Sequence, residues 1–208
     1  VSLLINTPNN PTGVVYSRQS FEAIADVCQR RDLWLISDEV YDTQIWEGEH
    51  LSARALPGMA DRTLVVESMS KSHAMTGSRC GWIVGPEYVI RHLIDLATHT
   101  TYGVPGFIQD AASFALTAGQ ELENKIAAPF RRRRSLAIGV LAAQNTVGLV
   151  PAQGSMYLML DIRATGLTGE GFANALLDTH AIAVMPGESF GKAAAGHIRV
   201  AMTVGDEK

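Results

Sequence analysis

Four short apolar runs constrain what this chain can fold into: Val1–Ile5, Leu33–Ile36, Leu64–Val66 and Trp82–Val84. Each is of strand length, and Leu33-Trp34-Leu35-Ile36 shows no polar alternation. Continuous apolar strands belong to sheets covered on both faces, which are largely parallel and flanked by helices. The segment between the first two runs predicts such a helix. Ser17 is a suitable N-cap, Phe21, Ile24, Ala25 and Cys28 recur at helical spacing, and Arg30-Arg31 suit the negative C-terminal end. The fold class expected is α/β, with a largely parallel sheet of the βαβ kind.

Ligands of such sheets gather beyond the C-terminal ends of the strands. Three polar side chains fall there: Asn10 in the turn Asn6–Gly13, Asp38 after the second run, and Lys71 after the third. A lysine at the mouth of a buried strand can be desolvated and made nucleophilic. Ser68 and Ser70 before it, and Arg79 after it, supply donors for an anion, most simply a phosphate. An imine-forming lysine beside a phosphate is the outline of a pyridoxal-phosphate site. Lys71 is the first lysine of the chain and the next is Lys125, so the choice of amine is narrow. Such a site also needs a carboxylate at the ring nitrogen, which suits Asp38. It needs donors at the ring oxygen, for which Asn10 and Tyr41 are available.

Composition removes several alternatives. The formal net charge is −4, so no polyanion-binding signature is present. The basic cluster Arg131–Arg134 falls in a helical segment and reads as a solvated or salt-bridged face, which argues against nucleic acid as a partner. The two cysteines, Cys28 and Cys80, form neither a disulfide framework nor a metal site, which points to a reducing, cytoplasmic compartment. No apolar stretch reaches the roughly 18 residues of a membrane span.

Further along, a helix is expected from Glu87, and a well-buried helix over Phe107–Ala118. A long helix over Leu122–Ala143 is expected to kink at Pro129. The last third reads as a compact α/β unit. Met156–Ile162 is a strand, Gly169–His180 a helix and Ala183–Gly187 a short strand and turn. In the final strand, Ile198, Val200 and Met202 face one way and Arg199 the other. The expected organisation is 1–118 as part of a large domain, 119–145 as a bridging helix and 146–208 as a small, truncated C-terminal domain. Val1 inside a strand, and a helix start at Asp206-Glu207-Lys208, read as cut ends of a longer protein.

Three stretches together resemble the class I/II aminotransferases of pyridoxal-phosphate fold type I. They are Pro8-Asn9-Asn10-Pro11-Thr12-Gly13, Ser37-Asp38-Glu39-Val40-Tyr41, and Ser68-Met69-Ser70-Lys71 through Gly77-Ser78-Arg79-Cys80-Gly81. The resemblance implies pyridoxal 5′-phosphate as cofactor, with Lys71 as the catalytic lysine that binds it and moves the substrate proton. It implies Asp38 at the pyridine nitrogen, Asn10 and Tyr41 at the ring oxygen, and Ser68, Ser70 and Arg79 at the phosphate. Gly196-His197-Ile198-Arg199 is similar to the strand whose arginine binds the substrate α-carboxylate, and the resemblance also implies Asn10 as a substrate-binding residue. Amino acid and 2-oxo acid substrates and a homodimer follow from the same resemblance. It covers the family's C-terminal part, so these residues alone are expected to be inactive. Lys71–Gly77 and Asp161–Leu167 look most like bacterial arginine–pyruvate transaminases. A β-elimination lyase on the same residues, or a non-catalytic effector domain of a regulator, is the alternative. His73 either packs beside the lysine or touches substrate.

Overall fold

The computed structural model describes residues 1–206, so Glu207 and Lys208 of the expected terminal helix start lie outside the described residues. The chain forms two compact units. The first comprises Val1–Pro8 and Val15–Ala127; the second comprises Asn9–Val14 and the residues from Ala128 onward.

In the first unit, β1 (Ser2–Asn6), β2 (Trp34–Asp38), β3 (Thr63–Ser68) and β4 (Gly81–Val84) form a sheet in that order. The first three strands are parallel, and β4 runs antiparallel to β3. The reversal follows from the connection. Its only α-helix, α2 (Met69–Ser72), has 4 residues, which rise about 6 Å against a six-residue strand of about 20 Å. The chain turns back before it can recross the sheet.

Helix α1 (Arg18–Arg30) starts at Ser17, whose side chain accepts the Ser20 N–H, as its sequence predicts. It lays Phe21, Ala25 and Cys28 against Ile5 and Leu35. In register, Ile5, Ser37 and Val65 share the face toward α1, while Asn6, Asp38 and Val66 share the opposite one. Strand alternation therefore separates two sets of side chains at the strand ends. The Glu39 N–H donates to the Val66 carbonyl at 3.0 Å, carrying the ladder one residue past β2. Glu39 and Glu67 continue the α1 face, and Asp38 and Ser68 the other.

Helix α3 (Glu87–Thr100) follows β4, and α4 (Gly106–Thr117) comes next. The expectation that α4 is well buried is corrected. It packs through Ala112 and Ala115 against Met69, while Phe107 and Phe114 are 75% and 77% exposed. An apolar sequence around a whole helix does not say which stripe finds a partner. The sheet likewise leaves Leu4 68% exposed, so it is not covered on both faces by the residues described.

Helix α5 (Gly119–Leu141) runs through Pro129. In the second unit, β5 (Gly148–Leu149), β6 (Tyr157–Asp161), β7 (Met185–Pro186) and β8 (His197–Ala201) form an antiparallel sheet of order β5-β6-β8-β7. Its core holds Leu158, Leu160, Ile198 and Met202, with Val200 packed against it, as the alternation in β8 requires. Helix α6 (Gly169–His180) is capped by Thr168, which accepts the Gly171 N–H. The arginine cluster is salt-bridged as expected: Arg132 and Arg133 both bind Asp206, and the Arg134 Nε donates to the Ala152 carbonyl at 2.7 Å.

The turn Asn9–Val14 belongs to this second unit. The Gly13 carbonyl accepts the N–H groups of Gln153 and Gly154, each at 2.8 Å. With φ +72°, and only 2.7 Å from an added Cβ to that of Ala152, position 13 tolerates little but glycine. Asn9 braces the same turn, its Oδ1 accepting from the Thr12 hydroxyl at 2.7 Å. Rigidity here fixes where the neighbouring Asn10 side chain points.

Candidate active site

Lys71 lies in α2, immediately beyond the C-terminal end of β3, and is half-buried. Ser68 ends β3 and serves as N-cap of α2. Its Oγ accepts the Ser70 N–H at 3.1 Å and lies 2.8 Å from the Ser70 hydroxyl. The two serines expected to bind an anion are thus brought together at the first turn of that helix. Arg79 sits in the left-handed region with φ 53°, at the exit of the same loop. Its exposed guanidinium donates to the Thr76 carbonyl at 3.0 Å.

Asp38 ends β2, on the strand next to β3. Its Oδ1 accepts the Val40 N–H at 3.2 Å, which turns the chain away from the sheet. No helix begins at this turn. Tyr41 follows, buried, with its carbonyl accepting the Gln44 N–H at 2.8 Å. His73 is buried. Its Nδ1 is paired with the Ser72 hydroxyl at 2.8 Å, and its Nε2 faces Glu123 at 3.8 Å.

On the α1 side of the sheet, sequence reading missed a buried polar group. Glu39 is 1% exposed. Its carboxylate meets the His50 Nε2 at 2.8 Å and accepts from the Ser52 hydroxyl at 3.1 Å and the Ala53 N–H at 3.3 Å. Glu67 and Asp42 lie within electrostatic reach. Burial, and then the charges of Asp42 and Glu39, push Glu67 up to about 7, with His50 opposing. Burial likewise raises Asp42 above the ordinary carboxylate range, against the Thr43 N–H that its carboxylate accepts.

This predicts a pH-dependent stability. A carboxylate whose folded pKa is raised from 4.5 to about 7 binds more protons folded than unfolded across that interval. Its contribution favours folding at low pH and is lost as pH rises through about 7. Glu67→Gln is therefore expected to raise the melting temperature at pH 8 and to change it little at pH 4. Calorimetry at both pH values checks this, and a difference independent of pH would overturn it.

In the second unit, Arg199 on β8 donates through Nη1 to the Asn10 Oδ1 at 2.8 Å. Its guanidinium carbon lies 4.1 Å from the Tyr157 ring centroid and 4.9 Å from that of Phe190. The buried Nε has no hydrogen-bond partner among the described residues. The sequence names Asn10 and Arg199 each as substrate-binding residues, without the bond between them, and does not point to Tyr157. The signal was register: Met159 stands opposite Arg199, which makes Tyr157 its diagonal neighbour. The guanidinium thus lies against two aromatic rings and is tied to one side-chain amide, an arrangement that keeps a cation in place with N–H groups that can pair with an anion.

The fold is that of solved aminotransferases. The aromatic aminotransferase of Pyrococcus horikoshii OT3 superposes with a TM-score of 0.94 at 35% identity, over 99% of this chain and 56% of that one. The aspartate aminotransferase of Thermus thermophilus with maleate gives 0.89 at 33% identity, over 99% of this chain and 53% of that one. The family model "Aminotransferase class I and II" matches residues 1–208, and the chain belongs to that family. Among curated proteins, arginine–pyruvate transaminase AruH of Pseudomonas aeruginosa is 49% identical over 99% of this chain and 52% of its own length. Aromatic-amino-acid aminotransferase 2 of Thermococcus litoralis is 34% identical over 100% of this chain and 54% of its own. The chain thus spans about half the length of the curated relatives it matches.

Proposed function

We propose that the complete protein is a pyridoxal-phosphate-dependent aminotransferase, moving an amino group from an α-amino acid to a 2-oxo acid. The observation that carries this reading is Lys71 on a short helix at the end of β3, one strand from Asp38 at the end of β2. The identity to an arginine–pyruvate transaminase supports arginine as donor and pyruvate as acceptor. Both cysteines are free, in keeping with a cytoplasmic setting.

The donor set of the first unit fits the cofactor: one amine, one carboxylate, a phenol, two paired hydroxyls and a guanidinium. When bound, pyridoxal phosphate supplies an aldehyde that takes up amines and a protonated ring that withdraws electrons. Lys71 would hold it through Nζ, Asp38 would keep the proton on the ring nitrogen, and Tyr41 would donate to the ring oxygen. Ser68, Ser70 and Arg79 would hold the phosphate. The Lys71 amine takes and returns the proton at the substrate Cα, the work of a general base and acid. In the second unit Arg199, with Asn10, binds the α-carboxylate that amino acid and 2-oxo acid have in common.

Incubating the complete, cofactor-loaded protein with an amino-acid donor tests the reaction class. Formation of pyridoxamine phosphate, consumed on adding a 2-oxo acid, is expected. Release of ammonia and pyruvate without amino transfer would make it a β-elimination lyase instead.

A further inference from the structure

The side chains proposed to meet the cofactor ring, Asp38 and Tyr41, flank a residue with no role in that chemistry. Glu39 points the other way, toward α1, because the ladder bond from its N–H to Val66 keeps it in strand phase. A carboxylate buried to 1% exposure is tolerated only when its oxygens are satisfied. Among the described residues its side-chain partners come from one segment, His50, Ser52 and Ala53, which returns to the sheet after a loop. The Glu39 main chain is held as well, its carbonyl accepting the Asp42 N–H at 2.8 Å.

We propose that Glu39, His50 and Ser52 form a clasp whose purpose is to position Asp38 and Tyr41, making His50 and Ser52 positioning residues for the ring contacts. The inference rests on the cofactor reading above. Its logic is geometric. Adjacent strand residues point to opposite faces, so a fixed Glu39 side chain fixes the direction in which Asp38 leaves the sheet. The turn closed by the Asp42 and Gln44 N–H groups then places Tyr41. Without the clasp, Glu39 would seek water, and the turn would rotate with it.

Charge supports the arrangement. Burial lowers the His50 pKa, but the hydrogen bond and charge of Glu39, with Asp42 and Glu67, outweigh it and leave His50 above its ordinary value. The cationic form, the stronger partner for Glu39, is thus favoured to higher pH than in an ordinary histidine, and it is lost as pH rises through the raised pKa. The titratable groups facing the pair are Asp42 on the turn and Glu67 on β3; Glu123 on α5 acts on both of these.

The test uses the complete protein as wild type and as His50→Gln, Glu39→Gln and Ser52→Ala, with pyridoxal phosphate as probe. In His50→Gln, hydrogen exchange at the Asp42 and Gln44 amides is expected to speed up about ten-fold while α1 amides keep their rates. Pyridoxal-phosphate affinity should fall by a similar factor, about ten-fold, with a smaller loss in Ser52→Ala. The wild-type affinity should step down as pH rises through the His50 pKa, and His50→Gln should lack that step. Uniform exchange acceleration, or local acceleration with unchanged affinity and pH profile, would mean a merely structural bond and overturn the proposal. If the wild type takes up no cofactor, the aminotransferase reading fails instead, and the exchange pattern alone decides whether the clasp orders the turn.

Discussion

Lys71→Ala in the complete protein is expected to lower transamination by about 10⁴-fold or more, since one substitution removes both the cofactor-binding amine and the base for the Cα proton. Lys71→Arg is the sharper variant. It keeps a cation of similar length in α2, so any role of Lys71 as a structural charge survives. Guanidinium does not give up its proton in proteins and cannot take one from carbon. Both variants should therefore be equally inactive, with melting temperatures close to wild type, because the half-buried side chain makes no hydrogen bond among those described. Borohydride reduction of the wild-type protein with pyridoxal phosphate should leave the pyridoxyl group on Lys71. Labelling at Lys125, or substantial activity in Lys71→Arg, would overturn the assignment.

How much of this site could be read beforehand depended on how local each cause was. The ends of β2 and β3 were legible because each continuous apolar run stops two residues before Asp38 or Ser68, and strand ends collect ligands. Arg199 was legible through the alternation of β8, which sends Ile198 and Val200 inward. The Glu39 clasp was not, because His50 and Ser52 sit in a loop with no periodicity, and nothing local says that Glu39 is buried. The exposed Phe107 and Phe114 of α4 show the same limit from the other side. Apolar composition predicts burial, yet burial needs a partner surface, and a helix cannot specify that alone. The antiparallel β4 was set by the shortness of α2, a matter of connection length that apolar runs do not encode.

Arg199 offers the second large effect. Its guanidinium is fixed from three sides: a hydrogen bond to Asn10 at 2.8 Å, the Tyr157 ring at 4.1 Å and the Phe190 ring at 4.9 Å. Each contact depends on a plane or a fork, which lysine lacks. Arg199→Lys retains the charge but loses the stacking and the paired N–H groups, so kcat/KM should fall by about 10²-fold, and by about 10³-fold in Arg199→Ala. The loss should be equal for the amino acid and the 2-oxo acid, because the carboxylate is what they share. An amine donor without a carboxylate should be turned over, however slowly, at the same rate by wild type and by Arg199→Lys. That last comparison separates recognition from stability. If the variant lost activity toward both kinds of donor alike, Arg199 would be holding β8 and the Asn10 turn in place, and the carboxylate anchor would have to be sought elsewhere.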